Sequence, residues 1–328
     1  MAGEPRFPRY GIVDVEDDLC VVRFERYLAH PIDAVWTALT TPAALTGWWG
    51  EAQFDFVQGG EFVMSWFNTD DTGNRAVLHG TITALEPPRL LEITGDIHGV
   101  LRFELAPDGD GTHLRFSSTL HLPAEYRTKV LAGWHYHLDA LATLLRGGTN
   151  DLVNVTGWDA IHEQYLDRVL SPADEKAVRA LYHQILDGWN NASGEEFAAA
   201  FAPDGEAIGF DGSRHAGREG IASDLQKIFA NHTTATYVAK IKNVRLLAPR
   251  SAALRAIAGL VPPGQSDIRP ELNAVQMLVA TQRDGDWRVA IFQNTPAQFH
   301  GRPELMNAMT EELREVLRAS RARATPGQ

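Results

Sequence analysis

AEYRTKVLAGWHYHLDALATLLRGG, residues 124–148, is the stretch on which the reading of this chain turns. Leu131, Trp134, Leu138, Leu141 and Leu145 recur at steps of three and four, which draws one apolar stripe along a helix. Gly147-Gly148 then ends it. A helix with such a stripe must bury it. The residues before it offer a sheet: a strand over Leu19–Ala29, then strands over Glu51–Val57, Glu61–Phe67, Ala76–Glu86, Leu90–Thr94, Val100–Leu105 and Thr112–Leu122. Gly59-Gly60, Asp71–Asn74, Pro87-Pro88 and Asp108–Gly111 supply the turns. Two short helices, Ile32–Leu39 and Pro42–Trp48, follow the first strand. The long helix is most simply laid across a curved sheet, an α+β arrangement that leaves a hollow where the two surfaces separate.

A second pattern of the same kind follows. After the loop-like Gly147–Gly157, Trp158–Leu170 has helical spacing, and the seam between two domains, 1–170 and 171–328, is placed at Leu170–Ser171. Ser171-Pro172 is a helix entry, and Val178, Leu181, Tyr182, Ile185, Leu186 and Trp189 make the next stripe. Short helices are expected at Glu195–Phe201 and Gly217–Phe229. Between them Asp211-Gly212 reads as a two-residue hairpin turn joining Ala207–Phe210 to Ser213–Ala216. Long strands follow at Thr236–Leu247, Ser251–Leu260, Leu272–Arg283 and Trp287–Thr295, then a helix at Pro303–Ser320.

Composition narrows the function classes. The chain has 328 residues, 44% of them hydrophobic, and a formal net charge of −12, which suits two soluble globular domains. Residues 1–170 hold 12 Lys/Arg against 24 Asp/Glu; residues 171–328 hold 18 of each. An acidic first half repels phosphates, so nucleic acid and anionic membrane are not expected partners. Cys20 is the only cysteine, which excludes an intramolecular disulfide and a thiolate metal cage. Met1–Pro8 has no apolar segment of signal-peptide length and no stretch reaches the ~20 apolar residues of a membrane span. A cytoplasmic protein is the expectation.

ALTTPAALTGWWG (residues 38–50) and GWHYHLDAL (residues 133–141), set in this order of elements, resemble the SRPBCC/START-like superfamily, and within it the group named after the activator of Hsp90 ATPase. The resemblance covers about residues 18–168. It implies a helix-grip fold with an apolar cavity between long helix and sheet that takes hydrophobic ligands. Trp66, Trp134, Leu138 and His79 are the ligand-contact candidates here, with core packing, or an exposed or satisfied histidine, as the alternatives. Trp48 and Trp49 read as core or cavity wall. His135, His137 and Asp139 suggest a metal at first sight. Only His135 and Asp139 share a helix face, so they read as polar flanks of the stripe and no metal is expected.

FAPDGEAIGFDGSRHAGREGIA (residues 201–222) and IFQNTPAQFHGRPE (residues 291–304) resemble the NTF2-like superfamily, closest to the SnoaL-like, DUF4440-type proteins, some described as oxidoreductases of the SgcJ/EcaC kind. The resemblance covers about residues 173–305 and implies an α+β cone with an apolar interior, in a superfamily of isomerases, cyclases, dehydratases and non-catalytic binders. No glycine-rich dinucleotide fingerprint or Walker loop is present, so no cofactor is expected.

Proton abstraction in such a cone needs a desolvated carboxylate and a donor for the enolate. Asp211, His215 and His232 are the catalytic candidates, although Asp211 before Gly212 also suits a turn. Tyr182 and Trp189 on the first helix, Gln276 beside Leu278 and Ala280, and Gln293 sharing a strand face with Trp287, Val289 and Ile291 are the ligand-contact candidates. Amides orient ligands but cannot act as general bases near neutral pH. The last two strands are apolar on both faces, which predicts a sheet-to-sheet homodimer, or a covering C-terminal helix. The leading expectation is a two-domain binder of hydrophobic small molecules, auxiliary to secondary metabolism. The alternatives are an isomerase or cyclase working in the second cavity, and an Hsp90-related protein-interaction module.

Overall fold

The computed structural model describes residues 9–16, 19–69 and 72–324. Met1–Pro8 and part of the Asp71–Asn74 turn therefore lie outside the described residues. The chain forms two compact units that divide between Val169 and Leu170, and each is mixed α+β.

The first unit runs β1 (Ile12–Glu16), β2 (Leu19–Leu28), α1 (Ile32–Thr40), α2 (Pro42–Leu45), β3 (Glu51–Phe54), β4 (Glu61–Thr69), β5 (Arg75–Glu86), β6 (Leu90–Gly95), β7 (Gly99–Asp108), β8 (Gly111–His121), α3 (Arg127–Leu145) and α4 (Trp158–Leu166). The eight strands make one antiparallel sheet in the order β1-β2-β8-β7-β6-β5-β4-β3. Strand β1 went unread in the sequence; its pairing with β2 puts Val15 and Cys20 into a small satellite core. Alternation in β2 sends Val22 and Phe24 inward while Arg23 stays out, as a half-buried strand requires. The inward set packs with Leu131, Trp134, Leu138 and Leu141 of α3 in one core, so the helix is gripped by the sheet. Gly147, at φ +79, ends α3, and the Gly148 N–H reaches back to Thr143 O at 2.9 Å, a left-handed stop that glycine enters without strain.

The second unit runs α5 (Pro172–Asn190), α6 (Gly194–Ala199), β9 (Phe201–Ile208), β10 (Arg214–Ala216), α7 (Arg218–Asn231), β11 (Thr236–Ala248), β12 (Ser251–Val261), β13 (Ala274–Arg283), β14 (Asp286–Pro296) and α8 (Pro303–Ala324). Ser171 caps α5 by accepting the Asp174 N–H at 3.1 Å, with Pro172 in the first turn. The sheet order is β10-β9-β14-β13-β12-β11, antiparallel except between β14 and β9. Helices α5, α6 and α7 bury their stripes on one face, where Val178, Ile185, Phe197, Ile221 and Leu225 meet Leu254, Leu278 and Phe292. Gly188 lets α5 and α6 close up, since a Cβ there would stand 2.2 Å from Phe197 N. On the other face Met309, Leu313 and Leu317 of α8 cover Val238 and Ile257 of β11 and β12.

Three expectations are corrected. The turn joining β9 to β10 is the five-residue Gly209–Ser213, closed by Gly209 N–H to Ser213 O at 2.8 Å, rather than a two-residue hairpin. Glu195–Phe201 is helical only to Ala199, and Phe201 opens β9. The face of Gln293 is also reversed. The register of β14 slips between Val289 and Ile291, and one extra residue in a strand exchanges inner and outer sides beyond it. Trp287 and Val289 therefore point inward with Phe292 and Asn294, whereas Ile291 and Gln293 are exposed.

Candidate functional site

Each unit holds a cavity where its helices part from its sheet. The first, about 460 Å³, lies between α3, the turn joining β6 to β7, and the ends of β4 and β5. Its walls are Trp49, Trp66, Trp134, Tyr136 and Trp158, with Val130 and Val155; Asn68, His98, His137 and Lys129 are its polar residues. Trp49 stands 5.4 Å from Trp134 between ring centroids, and Trp66 and Trp134 flank His98 at 5.3 and 5.4 Å. Among the described residues no carboxylate lines the space.

The polar atoms of this wall are arranged unusually. The indole Nε1 of Trp48 donates to Ala38 O at 2.9 Å, but Nε1 of Trp49, Nε1 of Trp134 and Nδ1 of His98 are buried with no partner among the described residues. Such groups ordinarily find one. His137 Nδ1 sits 2.9 Å from Trp48 O; a carbonyl only accepts, so this nitrogen carries the proton and Nε2 keeps a lone pair. Burial, and for His98 the neighbouring His137 ring, push both imidazoles down to about 4. Both are neutral at physiological pH. The first cavity therefore offers aromatic surface, donors and lone pairs, with Lys129 as the charged residue of its lining among the described residues.

Trp66 and Trp134 line this space as wall residues. Leu138 does not: it is fully buried in the core below. His79 is exposed, because β5 alternation turns Leu78 inward and His79 outward; the histidines on the wall are His137 of α3 and His98, from a turn that carried no sequence signal. His135 is fully buried rather than a polar flank. Its Nδ1 meets Tyr165 Oη at 3.0 Å and its Nε2 meets Asp139 at 3.3 Å, while Gly11 N–H donates to the same Tyr165 oxygen. His135 and Asp139 thus hold β1 and α4 to α3. Among the described residues no three His, Cys, Asp or Glu side chains are grouped to hold a metal ion.

The second cavity, about 230 Å³, opens at the loop joining β9 to β10. Ile185, Leu186, Trp189, Phe197, Leu225, Ile228 and Phe292 make it apolar, Tyr237 and Asn294 are its inner polar residues, and Asp211, Ser213 and His215 stand at its mouth. Trp189 lines it, with its indole N–H given to Ala235 O at 2.9 Å. Tyr182 and Gln276 do not line it; they lie buried behind the wall, joined by a 2.5 Å hydrogen bond. Gln293 faces outward for the reason given above, and His232 is exposed at the end of α7.

At the mouth, Ser213 Oγ lies 3.2 Å from His215 Nε2, and His215 Nδ1 lies 3.1 Å from Asp224. This follows the order of a nucleophile, a base and an orienting acid. The hydroxyl proton, however, goes to Asp211 at 2.6 Å. The N–H groups of Gly209, Gly212 and Ser213 are all spent within the loop, so no oxyanion site forms there. Asp211 is exposed, and the hydrogen bonds from the Ser213 hydroxyl and N–H hold its carboxyl below the ordinary carboxylate range. A general base working near neutrality needs the opposite shift. Asn294 and Tyr237 escaped sequence reading because the slip in β14 and the first residues of a long strand leave no periodic mark.

A helix gripped by an eight-stranded antiparallel sheet over an aromatic cavity defines the class of the first unit. Residues 29–146 match the family described as Activator of Hsp90 ATPase homolog 1-like protein, so the first unit is similar to that family over most of its length. No curated protein matches the chain. Among solved structures, a domain of unknown function with a cystatin-like fold from Nostoc punctiforme is 26% identical, covering 47% of this chain and 98% of its own, with a TM-score of 0.39. CalU16 from Micromonospora echinospora is 27% identical over 44% of this chain and 82% of its own, with a TM-score of 0.34. A Bordetella parapertussis protein is 25% identical over 52% and 93%, with a TM-score of 0.39. No helix among the described residues is long and apolar enough to cross a membrane.

Proposed function

We propose that this chain is a two-cavity binder of hydrophobic small molecules, with a START-like first domain and an NTF2-like second domain, auxiliary to the metabolism of aromatic compounds. The observation that carries the reading is the first cavity's wall: four tryptophans, two neutral histidines, and three buried polar atoms that no protein group satisfies. Leaving such atoms unpaired costs about 1–3 kcal/mol each, a cost that a guest with polar edges relieves. The second cavity supports the same reading through its apolar lining and its two inner polar groups.

The test uses Gly133, which lines the first cavity from α3 and has nothing within 4 Å of where a Cβ would stand. Gly133→Leu projects a side chain into the hollow from a position where a Cβ meets nothing, and it favours the helix. Titrating 2-naphthol by calorimetry should give two binding equivalents for the natural chain and one for the variant. No binding to the natural chain, or two equivalents in the variant, overturns the proposal. Native mass spectrometry of freshly purified protein would identify a retained guest.

An isomerase or cyclase in the second cavity is the second reading. It is favoured by the His215–Asp224 pair at the mouth, which could carry a proton, and weakened by the position of Asp211. An Hsp90-related docking role is suggested by the name of the matching family and the acidic first half; it predicts association that weakens as salt rises. We also propose a homodimer through the second sheet. Helix α8 covers β11 and β12, but Met277 and Ile291, 48% and 46% exposed, stand bare on β13 and β14. Met277→Lys should convert a sedimenting dimer into a monomer; a natural chain that already sediments as a monomer ends the idea.

A further inference from the structure

Behind the wall of the second cavity four polar side chains form one chain of hydrogen bonds. Tyr182 Oη donates to Gln276 Oε1 at 2.5 Å, Gln276 Nε2 donates to Asn294 Oδ1 at 3.2 Å, and Asn294 Nδ2 donates to Tyr237 Oη at 2.6 Å. Every bond points the same way, from the buried tyrosine toward the cavity.

The inner end fixes that direction. Tyr182 is 1% exposed and Gln276 is fully buried, so the Tyr182 O–H has one acceptor within reach, the Gln276 amide. Turning both amides over would reverse the chain and strand the Tyr182 proton in the core, a loss of the order of a buried hydrogen bond. Turning one alone would set N–H against N–H or oxygen against oxygen. The chain therefore runs outward, and its last member, Tyr237, accepts without passing the proton on. Among the described residues no protein acceptor takes the Tyr237 O–H.

Tyr237 lines the cavity with Asn294, and its ring packs 5.3 Å from Trp189. We infer that the second cavity selects apolar guests that carry an acceptor oxygen, a ketone or quinone carbonyl in particular, and that the Tyr237 hydroxyl is the donor that reads it. This rests on the binding reading above and sharpens it. Burial pushes the Tyr237 phenol up to about 12 against the hydrogen bonds from Asn294 and Gln276, so the proton stays on the oxygen across the physiological range. Donation from Asn294 also polarises the hydroxyl, which strengthens its own donation. The surrounding surface is apolar, so an acceptor placed there has Tyr237 as its partner while a hydrocarbon of the same shape has none.

Two probes of one shape separate the outcomes: 2-acetylnaphthalene, and 2-isopropenylnaphthalene, in which a methylene replaces the oxygen. Gly133→Leu protein, with its first cavity obstructed, is used throughout so that the second site is read. The ketone should bind about fivefold to tenfold more tightly than the alkene, the worth of one buried neutral hydrogen bond. Tyr237→Phe should erase that preference while leaving alkene affinity unchanged. The carbonyl stretch of the bound ketone should also move to lower wavenumber, a measurement that does not depend on the variant folding. If neither probe binds, the binding reading fails and takes the inference with it. If both bind equally, or the stretch does not move, the inference alone is overturned.

Discussion

The two cavities differ less in shape than in how their polar groups are partnered. In the first unit the indole N–H groups of Trp49 and Trp134 and Nδ1 of His98 are buried without partners. In the second, Tyr182, Gln276, Asn294 and Tyr237 bond one another in sequence, and among the described residues no protein acceptor takes the Tyr237 O–H. Unpaired buried groups weaken a fold, whereas a closed network rigidifies one. On the proposed binding reading, that contrast predicts broad acceptance in the first cavity and discrimination in the second.

Several substitutions probe it. The largest effect belongs to Trp134, which packs 4.2 Å from Phe116 between ring centroids. Trp134→Ala should cost about 3–5 kcal/mol in urea unfolding. Trp134→Phe should cost far less, since the indole N–H has no bond to lose; equal losses in the two variants would show that Nε1 is bonded after all. In the second unit Gln276→Leu strands the Tyr182 hydroxyl and should cost about 2–3 kcal/mol. Adding Tyr182→Phe should then recover part of the loss, because the stranded proton is gone. A strictly additive double variant would mean that the two side chains are not coupled.

Acidity separates the units next. His98 and His137 titrate near 4 in the folded chain against an ordinary value of 6.5. Between those values the unfolded chain binds more protons than the folded one, so stability increases with pH and is lost as the medium is acidified from about 6.5 toward 4. The loss should be on the order of 2–3 kcal/mol per histidine. The second unit's network of amides and phenols does not titrate there. Hydrogen exchange followed from pH 7 to pH 5 should show the first unit opening more readily and the second holding; His137→Asn, which can still donate to Trp48 O, should flatten the first unit's response. Smallest of all, His79→Ala, His232→Ala and Gln293→Ala change exposed side chains and should shift stability by less than about 0.5 kcal/mol. A loss of 2-naphthol affinity in any of them would mean that its side chain reaches a guest.

The amount legible in the sequence depended on whether a signal was periodic. The stripe Leu131, Trp134, Leu138, Leu141 announced α3, and Ser171-Pro172 announced α5, because apolar spacing and caps are local consequences of helix geometry. Trp66, Trp134 and Trp189 could be picked out as wall residues because large aromatics gather where helix and sheet separate. Gln276 reads in the sequence as a polar group among Leu278 and Ala280, yet its place behind the wall depends on Tyr182 and Asn294, 94 and 18 residues away.

The order of elements after β1, the mixed α+β class and the helix stripes were determined by the sequence alone, since each follows from residues within one or two turns of one another. The slip in β14, the outward side of Gln293, the inward side of Asn294 and the bonding of His137 to Trp48 were decided only by the tertiary structure. A strand's two faces are equivalent until a neighbouring strand sets the register, and a polar atom's role is open until packing supplies or denies its partner.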